Sequence, residues 1–318
     1  MSDEASHAAS DEASHPAGHP TGHAVRPDEG ALLPAAFIGH GSPMNAIERN
    51  RYTEAWRAFG ASFPRPRAVL VISAHWFIQA TAVTAMAWPH TIHDFYGFPP
   101  ELFAVEYPAP GDPELAEAVA EVAKPLWVGS DHDSWGLDHG TWSVLTHLLP
   151  DADVPVVQLS INALKPLEYH LDLGARLAPL RSQGVLVVGS GNVVHNLRRL
   201  DWGQPERGFD WAQRFDDAVR GNMTGDPAAV LRVLDHPDFR AAVPTPDHFI
   251  PLLYIAALAG SSGHTAQVLV DGYTYGGLSM TAYVVDGNVA DAPSTIHHDD
   301  RGAEFPDPTV VAPDETNA

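Results

Sequence analysis

Residues 35–44 read Ala-Ala-Phe-Ile-Gly-His-Gly-Ser-Pro-Met, an apolar run that stops at a histidine between two glycines. A short apolar run closed by glycine and proline is typical of a buried strand in a parallel sheet. Ligands of open α/β sheets bind outside the carboxyl ends of such strands. This stretch therefore predicts a central strand that presents His40 at the ligand-binding edge of the sheet.

The same pattern recurs in residues 67–75, Arg-Ala-Val-Leu-Val-Ile-Ser-Ala-His, and in residues 184–195, Gly-Val-Leu-Val-Val-Gly-Ser-Gly-Asn-Val-Val-His. A proline-rich turn at residues 244–248 brings one more histidine to the start of an apolar helix. A single histidine after a strand is more often structural than a ligand, but histidines after three predicted strands favour a metal site. The candidate ligands are His40, His75, His195 and His248.

The remaining pattern predicts an α/β fold. Further strands are expected over residues 82–86, 155–161, 267–270 and 278–285, the last as an edge strand. Helices are expected over residues 45–62, 113–124, 143–149, 166–182, 209–222, 226–234 and from Pro251 onward. A strand, helix, strand order favours parallel strands. We therefore expect one domain with a central, mostly parallel sheet flanked by helices, and the metal site at the carboxyl ends of its strands.

Two polar or aromatic connections are candidates for the walls of the site. Residues 88–113 form a long segment rich in proline and aromatic residues, which indicates a folded functional loop. Residues 130–142 contain His139 between Asp138 and Gly140. This histidine either faces a substrate or begins a helix with a local bond to Asp138, and the sequence does not choose between the two.

Composition limits the domain organisation and the partners. The net charge is −22, and acidic residues are in excess in residues 1–30, in residues 288–318 and in the part between them. We expect two disordered acidic tails, the first rich in histidine, around a catalytic domain at residues 31–287. Such a surface disfavours nucleic acid and anionic membranes as partners. The two lysines, Lys124 and Lys165, form no basic patch.

No stretch reaches the length of about 18 apolar residues that a spanning helix needs, and the first residues are acidic where a leader peptide is basic. We therefore expect a cytoplasmic protein, either a monomer or a homodimer. The absence of cysteine excludes disulfides and thiolate ligands, so a metal here must use histidine with carboxylate or water. Such a donor set favours Zn(II) or Fe(II), and spacing alone does not choose between them.

Six segments together resemble a known family. They are residues 39–44 (Gly-His-Gly-Ser-Pro-Met), 73–77 (Ser-Ala-His-Trp-Phe), 91–95 (Thr-Ile-His-Asp-Phe), 138–142 (Asp-His-Gly-Thr-Trp), 189–196 (Gly-Ser-Gly-Asn-Val-Val-His-Asn) and 244–253 (Pro-Thr-Pro-Asp-His-Phe-Ile-Pro-Leu-Leu). In this order they resemble the extradiol 4,5-DOPA dioxygenases. These are class III extradiol ring-cleaving enzymes related to the catalytic subunit of protocatechuate 4,5-dioxygenase.

The resemblance implies a non-haem Fe(II) enzyme that inserts O2 into a catechol such as DOPA, next to the diol. It implies metal ligation by His40, His75 and His248. For His195 it leaves two roles, acid/base catalyst or fourth ligand of a zinc ion. It also implies that His139 and His93 line the substrate pocket, with His139 assisting catalysis.

One departure bears on the metal. The usual iron site has two histidines and one carboxylate, and no carboxylate is evident here unless Asp247 or Glu48 supplies it. Imidazoles alone suit Zn(II) equally well. Two alternatives to the dioxygenase therefore stay open, a zinc-dependent hydrolase and a metal-binding relative without catalytic activity.

Overall fold

The computed structural model of the protein describes residues 32–288. The tails expected at residues 1–30 and 288–318 lie outside this range, apart from Asn288. The strands in chain order are β1 (Ala35–Gly39), β2 (Ala68–Ile78), β3 (Ala82–Thr84), β4 (Gly129–Asp131), β5 (Val156–Asn162), β6 (Val185–Gly191), β7 (Gln267–Val270), β8 (Tyr273–Thr274), β9 (Leu278–Ser279) and β10 (Ala282–Val285).

The α-helices are α1 (Arg51–Gly60), α2 (Pro100–Phe103), α3 (Pro113–Ala123), α4 (His139–Leu148), α5 (Leu167–Arg176), α6 (Ala178–Arg181), α7 (Asp210–Gly225), α8 (Phe239–Ala242) and α9 (Ile250–Ser262). Segments of 3-10 helix span Pro43–Ala46, Leu197–Arg199 and Pro227–Asp235. In the part of the chain that the structure describes, no helix is long and apolar enough to cross a membrane.

The main sheet confirms the predicted α/β class. Its strand order is β4-β3-β5-β2-β6-β1-β10-β7. The central strands β5, β2, β6 and β1 run parallel, while β10 and β7 continue the sheet in antiparallel fashion beyond β1. Helices α3, α5, α7 and α9 pack over one face and α1 and α4 over the other. The carboxyl ends of β1, β2 and β6 therefore meet at one edge.

The prediction of an edge strand over residues 278–285 was wrong. This segment divides into β9, which pairs with β8, and β10, which lies between β1 and β7. All four residues of β10 are buried, as expected for a strand that is paired on both sides. The small side chains that suggested an edge, Ser279, Thr281 and Ala282, are buried where the chain passes from β9 to β10, and the edge strand on this side of the sheet is β7.

Two predicted helices begin elsewhere because side chains cap them. The helix expected over residues 45–62 is a 3-10 turn followed by α1, because the side chain of Asn50 accepts hydrogen bonds from the backbone N–H groups of Tyr52 and Thr53. Helix α4 begins at His139, four residues before the predicted start. Its cap is Asp138, which accepts from the Thr141 N–H at 3.1 Å.

Candidate metal centre

The parallel strands bring two of the predicted histidines to one place. His40 directly follows β1, and His195 follows β6 after a short turn. Because β1 and β6 are paired in parallel, their carboxyl ends share an edge. His248 reaches the same edge from the turn before α9, where its carbonyl accepts the backbone N–H of Asn192 at 2.9 Å.

His75 arrives by a different route from the predicted one. Strand β2 does not end at His75 but continues to Ile78. Its pairing with β5 shifts register between Ile72 and Phe77, so His75 lies in the interrupted part of the ladder. Such an irregularity re-aims a side chain within a strand, and it places His75 at the same edge as His40.

Three imidazoles surround a common point. The ring centroids of His40, His75 and His248 are 5.1, 5.1 and 5.4 Å apart. The Nε2 atoms of His40 and His75 are 3.1 Å apart. His40 and His248 are almost fully buried, as is the side chain of His75. The predicted histidines His40, His75 and His248 therefore form one cluster, in which Nε2 of His40 and Nε2 of His75 face each other.

Two further histidines flank this triangle. His139 packs on His75 with ring centroids 3.8 Å apart, and His195 stacks on His248 at 3.5 Å with an interplanar angle of 3°. Ligand atoms within 4.8 Å of one another define two groups that could hold a metal ion. The groups are His40, His75 and His139, and His195, Asp247 and His248.

Outer hydrogen bonds orient two of the rings. His40 Nδ1 contacts the Ser190 hydroxyl at 3.0 Å, and His248 Nδ1 donates to the Asp247 carboxylate. In a neutral imidazole a hydrogen on Nδ1 leaves Nε2 bare, as in the carboxylate–histidine arrangements of metalloenzymes. Asp247 thus bonds to the ring of His248, and its carboxylate also belongs to the second candidate ligand group. Within residues 32–288, Glu48 belongs to neither candidate ligand group.

Sequence reasoning missed Asp94. Its Oδ1 accepts the backbone N–H of His139 at 2.9 Å and lies 3.0 Å from the Nδ1 of that ring. Its Oδ2 lies 3.4 Å from His75 Nδ1, so one carboxylate lies beside two imidazoles at ion-pair distance, without hydrogen-bond geometry to either Nδ1. The available signal in the sequence was an acidic residue inside an aromatic loop, directly after His93.

Electrostatics favours the neutral form of three of these histidines. Burial, and then the neighbouring imidazoles, hold the pKa values of His40, His75 and His195 well below the ordinary value of 6.5. Burial disfavours ionisation of Asp94, but the nearby His139 and His75 outweigh it and hold the pKa of Asp94 below its usual range. Neutral imidazole is the metal-binding form, so the donor set fits a non-haem metal ion.

An aromatic wall closes one side of the cluster. Phe95, which is fully buried, contacts the rings of Phe98, Phe103, Trp142 and His139. His93 lies in this wall, where its Nε2 bonds to the Val105 carbonyl at 2.9 Å. The predicted loop over residues 88–113 is thus folded, and contact of His93 with a substrate stays a prediction.

Comparisons with known proteins agree with this architecture. A family model described as "Catalytic LigB subunit of aromatic ring-opening dioxygenase" matches residues 34–286. A protein named "4,5-DOPA dioxygenase extradiol" from Escherichia coli K12 is 46% identical over 252 residues, which cover 78% of this chain and 93% of that protein. A protein of the same name from Beta vulgaris is 35% identical, with 78% of this chain and 94% of that protein covered.

A solved structure shows the same fold. The crystal structure of an "uncharacterized protein" from Escherichia coli K12 superposes with a TM-score of 0.70 at 41% sequence identity. The match covers 80% of this chain and 99% of the other.

Fold and site together define a metalloenzyme of the open α/β class, with its histidine cluster at the carboxyl edge of the sheet. The chain belongs to the LigB family of aromatic ring-opening dioxygenases, and it is an extradiol catechol dioxygenase.

Proposed function

We propose that this enzyme cleaves the ring of a DOPA-like catechol and that Fe(II) is its metal, held by Nε2 of His40, His75 and His248. The observation that carries the ligand assignment is the triangle of ring centroids with sides of 5.1 to 5.4 Å. Outer partners on Nδ1 of His40 and His248 support it. The names of the relatives support the substrate class.

Fe(II), when bound, supplies the one-electron chemistry with O2 that Zn(II) lacks. Zn(II) suits the same imidazole donors, so occupancy by zinc would give a loaded but inactive protein. The rest of the chemistry falls to the side chains around the cluster.

His195 is assigned as acid/base residue because of its stacking on His248. The two rings are parallel within 3° and 3.5 Å apart. The nitrogen lone pairs of two parallel rings lie in the planes of those rings and do not converge on one point, so the stacking disfavours a shared ligand role for His195 and His248. His195 therefore serves better as an acceptor of a catechol proton, a role that its neutral form permits.

His139 is assigned to hydrogen-bond the substrate. It occupies the first turn of α4, and Asp94 holds its backbone N–H at 2.9 Å while lying beside Nδ1. The position of Asp94 beside Nδ1 leaves the Nε2 edge of the ring for the substrate. The neighbouring Phe95 and Trp142 provide an apolar wall that excludes water and accommodates an aromatic ring. His93 completes this wall.

The test is to strip the protein of metal, reload it anaerobically with Fe(II) or Zn(II), and add L-DOPA and air. We expect oxygen uptake and a new yellow product in the iron sample only. Absence of uptake with L-DOPA and with simpler catechols would contradict the proposed reaction. Turnover of a simple catechol but not of L-DOPA would contradict the substrate alone.

Variants separate the assigned roles. We expect His248→Ala to lose metal, and His195→Gln to keep the metal while oxygen uptake falls by at least about 100-fold, the usual range for loss of a general acid or base. His132→Gln is the control, because His132 is exposed and lies in neither candidate ligand group. Loss of metal in His195→Gln would make His195 a ligand instead.

The oligomeric state, monomer or homodimer, and the cytoplasmic location stay predictions. Light scattering on the purified protein measures the first directly, and a mass above that of two chains would contradict it.

A further inference from the structure

Ser190 is a buried hydroxyl at the centre of the sheet. It lies in β6, where its neighbours in register are Ile38 of β1 and Ser73 of β2. The four residues that begin this strand, Val185 to Val188, are apolar, and Ser190 is fully buried. A buried hydroxyl is costly without hydrogen bonds, so its partners indicate what it does.

Ser190 has two polar partners. Its Oγ lies 2.5 Å from the carbonyl oxygen of Gly140 and 3.0 Å from Nδ1 of His40. A carbonyl oxygen only accepts, and a hydroxyl carries a single hydrogen. Ser190 must therefore donate to Gly140 and accept from His40, which places the hydrogen of the neutral imidazole on Nδ1.

We propose that Ser190 is a positioning residue that fixes His40 in the tautomer with a bare Nε2. The inference rests on the metal site proposed above, since that Nε2 atom is the one assigned to the metal. The metal-binding form of histidine is the neutral imidazole, which has a single ring hydrogen to place. Ser190 decides which nitrogen receives it.

The competing tautomer would close the site. Nε2 of His40 lies 3.1 Å from Nε2 of His75, which is hydrogen-bond distance. A hydrogen on His40 Nε2 would point toward His75 and occupy the space between two proposed ligands. The bond to Ser190 therefore favours the metal-binding tautomer of His40 over the tautomer in which His40 and His75 hydrogen-bond to each other.

The same hydroxyl also joins two parts of the site. Gly140 directly follows His139 in the first turn of α4, so the donor bond of Ser190 ties that turn to β6. Gly140 also lets the same turn approach β2, because a Cβ there would lie 2.5 Å from Ser73 Oγ. His40 and the helix that carries His139 thus share one anchor.

The direct test is NMR on metal-free protein labelled with ¹⁵N-histidine, recorded under nitrogen near pH 8. Two-bond correlations distinguish the tautomers, and His40→Gln identifies the His40 signals by their loss. We expect hydrogen on Nδ1 in the unmodified protein. Hydrogen on Nε2 would overturn the proposal, and this result is independent of whether any catechol is turned over.

Variants then test whether the hydroxyl is the cause. We expect Ser190→Ala to move the His40 hydrogen at least partly to Nε2 and to weaken Zn(II) binding by about 10- to 100-fold, the usual effect of losing a partner behind a metal-bound histidine. Ser190→Thr, which keeps the hydroxyl, should restore the Nδ1 tautomer. Chelator competition measures the affinity without oxygen or substrate.

Ser143→Ala is the matched control. Ser143 lies in α4 and is buried like Ser190, but its hydroxyl has no hydrogen-bond partner. Removal of this hydroxyl should therefore change neither the His40 tautomer nor the Zn(II) affinity. A folded Ser190→Ala variant with unaltered tautomer and affinity would overturn the proposal. If that variant does not fold, the spectrum of the unmodified protein decides.

Discussion

At the scale of single residues, the histidines of this site depend on their outer contacts. Two carboxylates and one hydroxyl stand behind four of the rings: Asp247 behind His248, Asp94 beside His75 and His139, and Ser190 behind His40. In the proposed site, the carboxylates therefore contact the outer edges of the rings. The acidic groups supply orientation and negative charge from outside.

Asp94→Asn tests this view. The substitution removes the charge shared by His75 and His139 while preserving shape, so we expect metal affinity and kcat to fall by about 10- to 100-fold each. Chelator competition and oxygen uptake measure the two effects. Asp133→Asn, in the exposed loop before α4, is the control. Normal affinity with normal kcat in Asp94→Asn would show that the contacts of 3.0 to 3.4 Å carry no function.

At the scale of elements, the site depends on how closely α4 approaches β2. A Cβ on Gly140 would lie 2.5 Å from Ser73 Oγ and 2.8 Å from Cδ2 of His75. Distances this short force neighbouring atoms to move. The first turn of α4 can therefore reach the strand only because residue 140 is glycine.

Gly140→Ala should destabilise the protein by about 1 to 3 kcal/mol, the usual cost of overpacking, and should weaken metal binding because His75 is displaced. Urea unfolding and chelator competition measure the two effects. Gly221→Ala in α7 is the control, since its Cβ would meet nothing within 4 Å. That variant should be more stable by up to about 1 kcal/mol through helix propensity. Equal effects of the two substitutions would contradict the argument.

The contact between α5 and α9 predicts a pH dependence. His170 of α5 is fully buried and its Nδ1 lies 3.0 Å from the hydroxyl of Tyr254 in α9. Burial lowers the pKa of His170 from 6.5 to about 4. Between these pH values the unfolded chain binds more protons than the folded protein. The contribution of His170 to the free energy of unfolding therefore rises with pH, and it is lost as pH falls from 6.5 toward about 4.

For His170 alone this effect amounts to at most about 3 kcal/mol. His40, His75 and His195 act in the same direction, so the informative quantity is a difference. Urea unfolding of metal-free protein at pH 5 and pH 7.5 should show a smaller pH dependence in His170→Gln than in the unmodified protein. His132→Gln, exposed in both states, should change nothing. An unchanged slope in His170→Gln would contradict the assignment.

At the scale of the whole molecule, the sequence predicted the positions of the strands better than it predicted which strands pair with one another. Apolar runs ending in histidine located His40 and His195 because parallel strands share an edge. The pattern of β10 did not reveal that it lies between β1 and β7, because burial on both sides comes from residues far away in the chain. Ser190 and Asp94 were visible as polar residues, but their partners lie 150 and 45 positions away, at His40 and His139.

One buried cation joins the two ends of the described chain. Arg181, at the end of α6, is almost fully buried. Its Nε donates to the Leu33 carbonyl at 2.7 Å, and its Nη2 donates to Asp286 at 2.8 Å. Leu33 precedes β1 and Asp286 follows β10. The guanidinium therefore links the entry of β1 to the exit of β10, the antiparallel pair that includes the strand before His40.

Arg181→Met should accordingly destabilise the whole protein. Removing one partner of a buried charge pair costs about 3 to 5 kcal/mol, whereas Arg65→Met, which breaks the exposed pair with Asp153, should cost at most about 1 kcal/mol. Urea unfolding monitored by circular dichroism compares the two. Because the pair lies at the opposite end of β1 from His40, Arg181→Met should keep the metal affinity of the fraction that remains folded. If Arg181→Met weakened metal binding without lowering stability, the structural role assigned to Arg181 would be wrong.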